Sequence, residues 1–298
     1  MKNNEIQGGL HKSVINWYPG HMAKTRKQIS DDIKLIDIVI EILDARIPKS
    51  SQNPDLGKLL CNKKRIIALN KSDLANESQN KLWKNFFENM KIPCVITDSN
   101  TGIGMKEVLQ KVEKIMQPEL QKQAEKGRIR KNIRILIVGI PNVGKSSFIN
   151  RIAKRNTANV GNKPGVTKQK QWIRIQNNVE LLDTPGILWP KFETEEVALH
   201  LAYTGTIKDE VIDETEVAYH LLKLLYENYK KDLLDRYKIE EQELQESKDL
   251  LELMNLIGKK RGALLAGGKI DETKTAKILL EDFRTGKIGK ITLEHIKI

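Results

Sequence analysis

The run Gly139-Ile-Pro-Asn-Val-Gly144-Lys145-Ser146 is a GxxxxGKS loop set between the apolar stretch RILIV and the helix-compatible SSFINRIAK. Glycines let a backbone wrap an anion so that the N–H groups of Val143, Gly144, Lys145, Ser146 and Ser147 face inward, and the following helix adds the positive end of its dipole. Such a loop holds a polyphosphate, with Lys145 on the outer oxygens and the Ser146 hydroxyl as a Mg²⁺ ligand. A carboxylate that holds the magnesium through water is expected at Asp183, where the apolar run VELLDT ends in Asp183-Thr184-Pro185-Gly186. Gly186 offers an N–H that can approach a γ-phosphate with no Cβ in the way. Asn70-Lys71-Ser72-Asp73 follows another apolar run, RIIALN. The Asp73 carboxylate can accept the N1–H and N2–H of guanine together, a pair that adenine lacks. GTP is therefore the expected nucleotide.

These residues need elements to position them. IDIVIEILDA (36–45), RIIALN (65–70), PCVITDS (93–99), RILIVG (134–139) and VELLDT (179–184) read as buried strands separated by helix-compatible stretches. That alternation predicts an α/β, doubly wound, mainly parallel sheet. QWIRI (171–175), apolar at alternate positions, reads as an edge strand, and the charged stretch 117–132 as a surface connector. After Pro190 the period becomes helical: Val217, Leu221, Leu224 and Leu225 share a face, as do Ala276, Leu279, Leu280 and Phe283. The expected division is an N-terminal segment 1–24, an α/β domain 25–190 and a smaller all-α domain 191–298.

The 298 residues suffice for two domains. Charged residues at 30% and hydrophobic residues at 39% fit a soluble globular chain. No run approaches a membrane span, and the first residues lack the apolar core of a secretory signal, so the expected location is the cytoplasm. Cys61 and Cys94 stand far apart without histidines at ligand spacing, which argues against disulfide scaffolds and thiolate metal sites. Of the net +12, residues 1–192 hold 34 Lys and Arg against 17 Asp and Glu, while residues 193–298 hold 17 against 22. Such clustering suits a nucleic-acid partner, although Lys-rich genomic bias would also produce it. Gly258-Lys259-Lys260-Arg261 with Lys287, Lys290 and Lys297 is a candidate RNA contact or a solvated face.

The order of the motifs is inverted relative to ordinary translation-factor-like GTPases, with NKSD at 70–73 ahead of the P-loop at 139–146 and DTPG at 183–186. The chain thus resembles the circularly permuted GTPases. Trp17-Tyr18-Pro19-Gly20-His21-Met22-Ala23-Lys24, DARIP at 44–48 and GIPNVGKSS narrow the resemblance to the ribosome biogenesis GTPase A family, across essentially the full chain. The resemblance implies GTP hydrolysis to GDP and phosphate, slow alone and stimulated by ribosomal particles. It further implies action late in large-subunit assembly, with rRNA and ribosomal proteins as partners, no membrane, and a monomer off the ribosome. It places the fifth GTPase motif at Ser99-Asn100-Thr101-Gly102, where Asn100 replaces the usual Ala, and the switch I threonine at Thr167, on Mg²⁺ and γ-phosphate. Asn142 falls where monovalent-cation-activated relatives hold K⁺. Ile187 and Leu188 cannot orient water, so His21 is the candidate substitute, a role that competes with packing on the G domain or touching rRNA. Switch II runs from Gly186 through Trp189 into the helical domain. Two rivals remain: a GTP-gated RNA-binding protein or chaperone in which hydrolysis is secondary, and a tRNA-modification or translation GTPase. The motif order and the WYPGHMAK signature weigh against the second.

Overall fold

The computed structural model describes residues 30–60, 63–127, 132–156, 172–175, 179–183, 188–189, 192–247 and 249–297. They fall into two units: an α/β unit built from the described residues within 19–189 and 282–298, and a helical unit within 190–281.

The α/β unit carries six strands, β1 (Ile38–Asp44), β2 (Lys64–Asn70), β3 (Cys94–Ile96), β4 (Ile133–Val138), β5 (Trp172–Ile175) and β6 (Val179–Asp183), in the order β3-β2-β1-β4-β6-β5. All pairs are parallel except β5 with β6. The alternating pattern of β5 suits its place as the antiparallel edge, whereas β1, wholly buried, needs apolar side chains on both faces. Helices α1 (Leu56–Leu59), α2 (Glu77–Asn89), α3 (Met105–Glu125) and α4 (Lys145–Asn156) belong to the same unit. Leu43, Ile67, Leu69 and Cys94 of the sheet pack with Trp83 and Phe87 of α2, and Val39, Leu136, Val138 and Leu182 pack with Ile33, Ile36 and Leu56. Buried Cys94, whose thiol is pushed up to about 12 by burial, behaves as a small core residue.

Two features depart from the sequence reading. The expected connector 117–132 begins as helix, because α3 runs on to Glu125. Its Gln, Glu, Lys, Leu and Ala residues favour helix strongly enough to carry Pro118 within it, and Lys64 Nζ donates to the Ile115 carbonyl in the neighbouring turn at 3.0 Å. The second departure is the domain boundary: residues from Asp282 onward group with the α/β unit instead of the helical one.

The helical unit contains α5 (Glu195–Tyr203), α6 (Glu214–Asn228), α7 (Lys230–Tyr237), α8 (Glu241–Glu246), α9 (Leu250–Lys260) and most of α10 (Glu272–Arg284). Thr194, Asp213 and Asp249 cap three of these by accepting backbone N–H bonds, and Glu240 with Glu243 forms a capping box. Central α6 buries Val217, Ala218, Leu221, Leu222 and Leu225, while Leu224 is only partly covered. None of the described helices is long and apolar enough to cross a membrane.

Candidate nucleotide-binding site

Parallel strands leave a crevice at their carboxyl ends, and there the motifs gather. Asp44 ends β1, Asn70 ends β2, Ser99 follows β3, Gly139 follows β4 and Asp183 ends β6. The register pairs Asp183 with Ile137, which sets it beside the strand that feeds the phosphate loop.

Within that loop Asn142 takes a left-handed backbone, φ +58°, with its side chain exposed, and Gly144 sits at φ +100°. A Cβ on Gly144 would lie 2.5 Å from the Asn70 side-chain nitrogen, so glycine is required both for the turn and for the close approach. Val143 is buried and Lys145 nearly so, with its ammonium donating to the Ile140 carbonyl at 2.8 Å. That bond folds the lysine back over its own loop, from where a polyphosphate's charged oxygens would draw it away. Ser146 and Ser147 stand exposed at the start of α4.

Asn70 joins this loop to the base end. Its Nδ2 donates to the Val143 carbonyl at 2.9 Å, while its Oδ1 accepts the Ser99 N–H at 3.1 Å and the Ser99 hydroxyl at 2.8 Å. The Thr97 hydroxyl adds a longer bond of 3.4 Å, and Arg151 of α4 donates to the Ser99 carbonyl at 3.3 Å. Asn70 thus ties three motifs together.

Asp73 is partly buried, and its Oδ1 is covered yet without a hydrogen-bond partner. Burial raises its pKa, and the nearby Asp98 carboxylate raises it further. A desolvated acceptor left unpaired is costly unless a ligand supplies the donor, and guanine supplies two. The Asn100 N–H donates to Asp98 Oδ1 at 2.7 Å, so a contact between it and the base requires it to change partners.

The DARIP run carries a charge cluster under the base loop that the sequence alone does not assemble. Asp44 is buried, and the Arg46 guanidinium grips its two oxygens at 3.0 and 2.8 Å while Lys71 Nζ reaches Oδ2 at 3.0 Å. Burial alone would raise Asp44; the two cations outweigh it and hold the carboxyl well below the usual range. Burial lowers Lys71, with Asp44 pulling the other way. Lys71 also adopts a left-handed backbone, φ +59°, uncommon for a lysine. The signal available was a charged Asp-Ala-Arg closing an apolar strand.

His21, Thr167, Gly186 and Ile187 lie outside the described residues, as do the WYPGHMAK segment, Cys61 and the side chain of Asp183.

Family models of a 50S ribosome-binding GTPase and of the RsgA GTPase match residues 134–257 and 59–193. The chain is 48% identical over 281 residues to ribosome biogenesis GTPase A of Bacillus licheniformis, covering 94% of this chain and 98% of that one. To the protein of the same name from Bacillus cereus it is 44% identical, covering 94% of each. Among solved structures, GDP-bound YlqF of Thermotoga maritima aligns with a TM-score of 0.66 at 26% identity over 90% of this chain and 98% of that one. The GNP-bound form aligns at 0.63 and 28% identity, over 91% and 98%. With a permuted G domain, a complete phosphate loop and relatives of this identity over nearly its whole length, the chain belongs to the ribosome biogenesis GTPase A family.

Proposed function

We propose that this GTPase acts in late assembly of the large ribosomal subunit, docking on the particle with GTP bound and leaving after hydrolysis. The observation that carries the nucleotide is the covered, unpartnered Asp73 oxygen beside an Asn70 that bonds both the phosphate loop and Ser99. Lys145 moves from the Ile140 carbonyl onto the β and γ oxygens, and the Ser146 hydroxyl, exposed at the start of α4, serves as a Mg²⁺ ligand. Ser146, Thr167 and, through water, Asp183 would hold Mg²⁺, which supplies charge neutralisation when bound. Exposed Asn142 would hold K⁺ against the phosphates. Gly186 would sense the γ-phosphate, and His21 would orient the attacking water.

Attraction to the particle comes from the basic first two-thirds of the chain. Lys259, Lys260 and Arg261, all exposed, and Lys287, Lys290 and Lys297 on the segment that joins the α/β unit are the proposed rRNA contacts. The protein is proposed to be cytoplasmic, and monomeric when off the particle. Pelleting with large-subunit particles at two salt concentrations, with phosphate release in K⁺ and in Na⁺, tests the reading. Binding should be tighter with a non-hydrolysable GTP analogue than with GDP and fall steeply with salt. Turnover should rise by roughly tenfold or more on the particle and run several-fold faster in K⁺. Equal pelleting with both nucleotides, or unstimulated turnover, would leave the GTPase and remove the assembly role.

A further inference from the structure

The base loop is touched by a segment from far along the chain. Past α10 the backbone turns at Gly286 and then runs beside the loop: Ile291 N–H donates to the Leu74 carbonyl at 3.0 Å, one residue beyond Asp73, and Leu293 N–H donates to the Arg46 carbonyl at 2.8 Å. The Thr292 hydroxyl oxygen accepts the Asn76 N–H at 3.0 Å at the very start of α2. The Glu294 carboxylate accepts the N–H groups of Lys49 and Ser50 at 2.5 and 2.9 Å, and its backbone carbonyl accepts the Trp83 indole N–H at 2.8 Å. Ile296 N–H donates to the Gln79 side chain at 3.0 Å.

A second connection runs through side chains. Arg46, 1% exposed, uses its Nη1 to donate to the Arg284 carbonyl at 3.3 Å, and its guanidinium lies 5.3 Å from the centre of the Phe283 ring. Its other nitrogens hold Asp44, and Asp44 holds Lys71. Phe283 and Arg284 are thereby linked, through one guanidinium and one carboxylate, to the residue two positions before Asp73. The left-handed backbone of Lys71 is a conformation that persists where the surroundings over-determine it, and this relay does so.

We propose that Phe283–Ile296 is a strap that positions the guanine-reading loop. Arg46 and the strap backbone act as positioning groups for Lys71 and Asp73 without touching the base. This rests on the reading of Asp73 as the guanine acceptor. A carboxylate that must meet two donors at once tolerates only a few tenths of an ångström of drift, of order 0.5 Å. One side of the loop is held at Asn70 and at Ser72, whose N–H donates to the Thr97 carbonyl and whose carbonyl accepts from Asn80 Nδ2, each at 3.2 Å. The bonds named above tie the other side, at Leu74, at Asn76 and through Asp44.

The role predicts a loss of base discrimination as well as of affinity. Two variants of the full chain separate the strap from the rest. Arg46→Lys keeps a cation beside Asp44 but cannot bond Asp44 and the Arg284 carbonyl together. Gly286→Ala, milder, places a Cβ at φ +73° and 2.8 Å from the Leu74 side chain. Val112→Ala, at a buried position of α3 itself, serves as a comparably destabilised control. Affinities for GDP and for inosine diphosphate, which lacks the N2 amine, are measured well below each melting temperature, with Asp73→Asn alongside. The GDP preference should fall by roughly fivefold or more in both strap variants, stay at the wild-type value in Val112→Ala, and collapse in Asp73→Asn. If Asp73→Asn loses the preference while both strap variants keep it, the strap is only structural and the proposal fails. If Asp73→Asn keeps it, the base assignment falls and the strap with it. Should Arg46→Lys not fold, Gly286→Ala decides alone.

Discussion

The two ends of the nucleotide site are made in opposite ways. The phosphate end is eight consecutive residues between one strand and one helix; its lysine finds a partner, Ile140, inside the loop itself. The base end is assembled from residues 44–46, 70–73, 97–101 and 151 together with a strap beyond residue 282. Binding a polyphosphate asks only for convergent N–H groups and charge, which a short glycine loop supplies locally. Reading a base asks for a carboxylate held to fractions of an ångström, which only tertiary contacts supply. With the strap acting as proposed, affinity is encoded locally and specificity by the whole unit.

The largest effect should come from Lys145→Ala. With the ammonium removed, kcat/KM for GTP should drop by roughly 100-fold or more, while the preference for guanine over hypoxanthine among the nucleotides still bound is kept. A variant that lost base preference as well would show that the two ends are one device. Next in size is Gly144→Ala, aimed at the joint between them. The new methyl must displace the Asn70 amide and adopt an unfavourable backbone, so stability should fall by about 2 kcal/mol or more, and guanine and inosine nucleotides should weaken together. Urea unfolding and nucleotide titration check this; wild-type values in both would remove Asn70 as the joint.

The smallest effect concerns the sheet from which both ends project. Glu41, wholly buried in β1, is raised from 4.5 to about 7 by burial, against the pull of Arg65 at 3.0 Å, and its Oε1 has no hydrogen-bond partner. A carboxyl raised in the folded state stabilises it fully below its unfolded pKa, and that stability is lost as pH rises through the folded value. The window is therefore about 4.5 to 7, worth of order 1–3 kcal/mol. Glu41→Gln should flatten the pH dependence of unfolding between pH 5 and 8 without altering base preference. An unchanged slope would show that Arg65 keeps Glu41 ionised throughout.

Much of the fold is legible in the sequence. All six strands lie in the runs read from the sequence, and the alternation of QWIRI marks an edge strand without specifying its antiparallel pairing with β6. The doubly wound α/β class follows from the same periodicities, and the phosphate loop announces itself because its chemistry is contiguous. Residues 117–125 are helix despite their charge, because helix propensity decides there and their solvated side chains are those of an exposed helix. On α6 the buried face includes Leu222 more fully than Leu224, since the core there is wider than a single stripe. The Asp44–Arg46 cluster and the strap left no periodic trace. Ion pairs buried beneath a loop, and partners more than 200 residues apart, depend on where the fold brings them and not on any spacing in the chain.

The strap also bears on how the molecule comes to exist. Ser50 and Glu294 meet across 244 residues, and Trp83 and Glu294 across 211. Closing a loop of that size costs about 5 kcal/mol of chain entropy before any contact compensates, and such closures are slow. Circular permutation moved the base-reading residues to an early place in synthesis, ahead of the phosphate loop. The strap makes them late again: the polypeptide must be translated through the entire helical unit before Asp73 is held from both sides. With the strap positioning Asp73 as proposed, the phosphate loop is complete in a growing chain well before the base loop is, and purine selectivity is the later property.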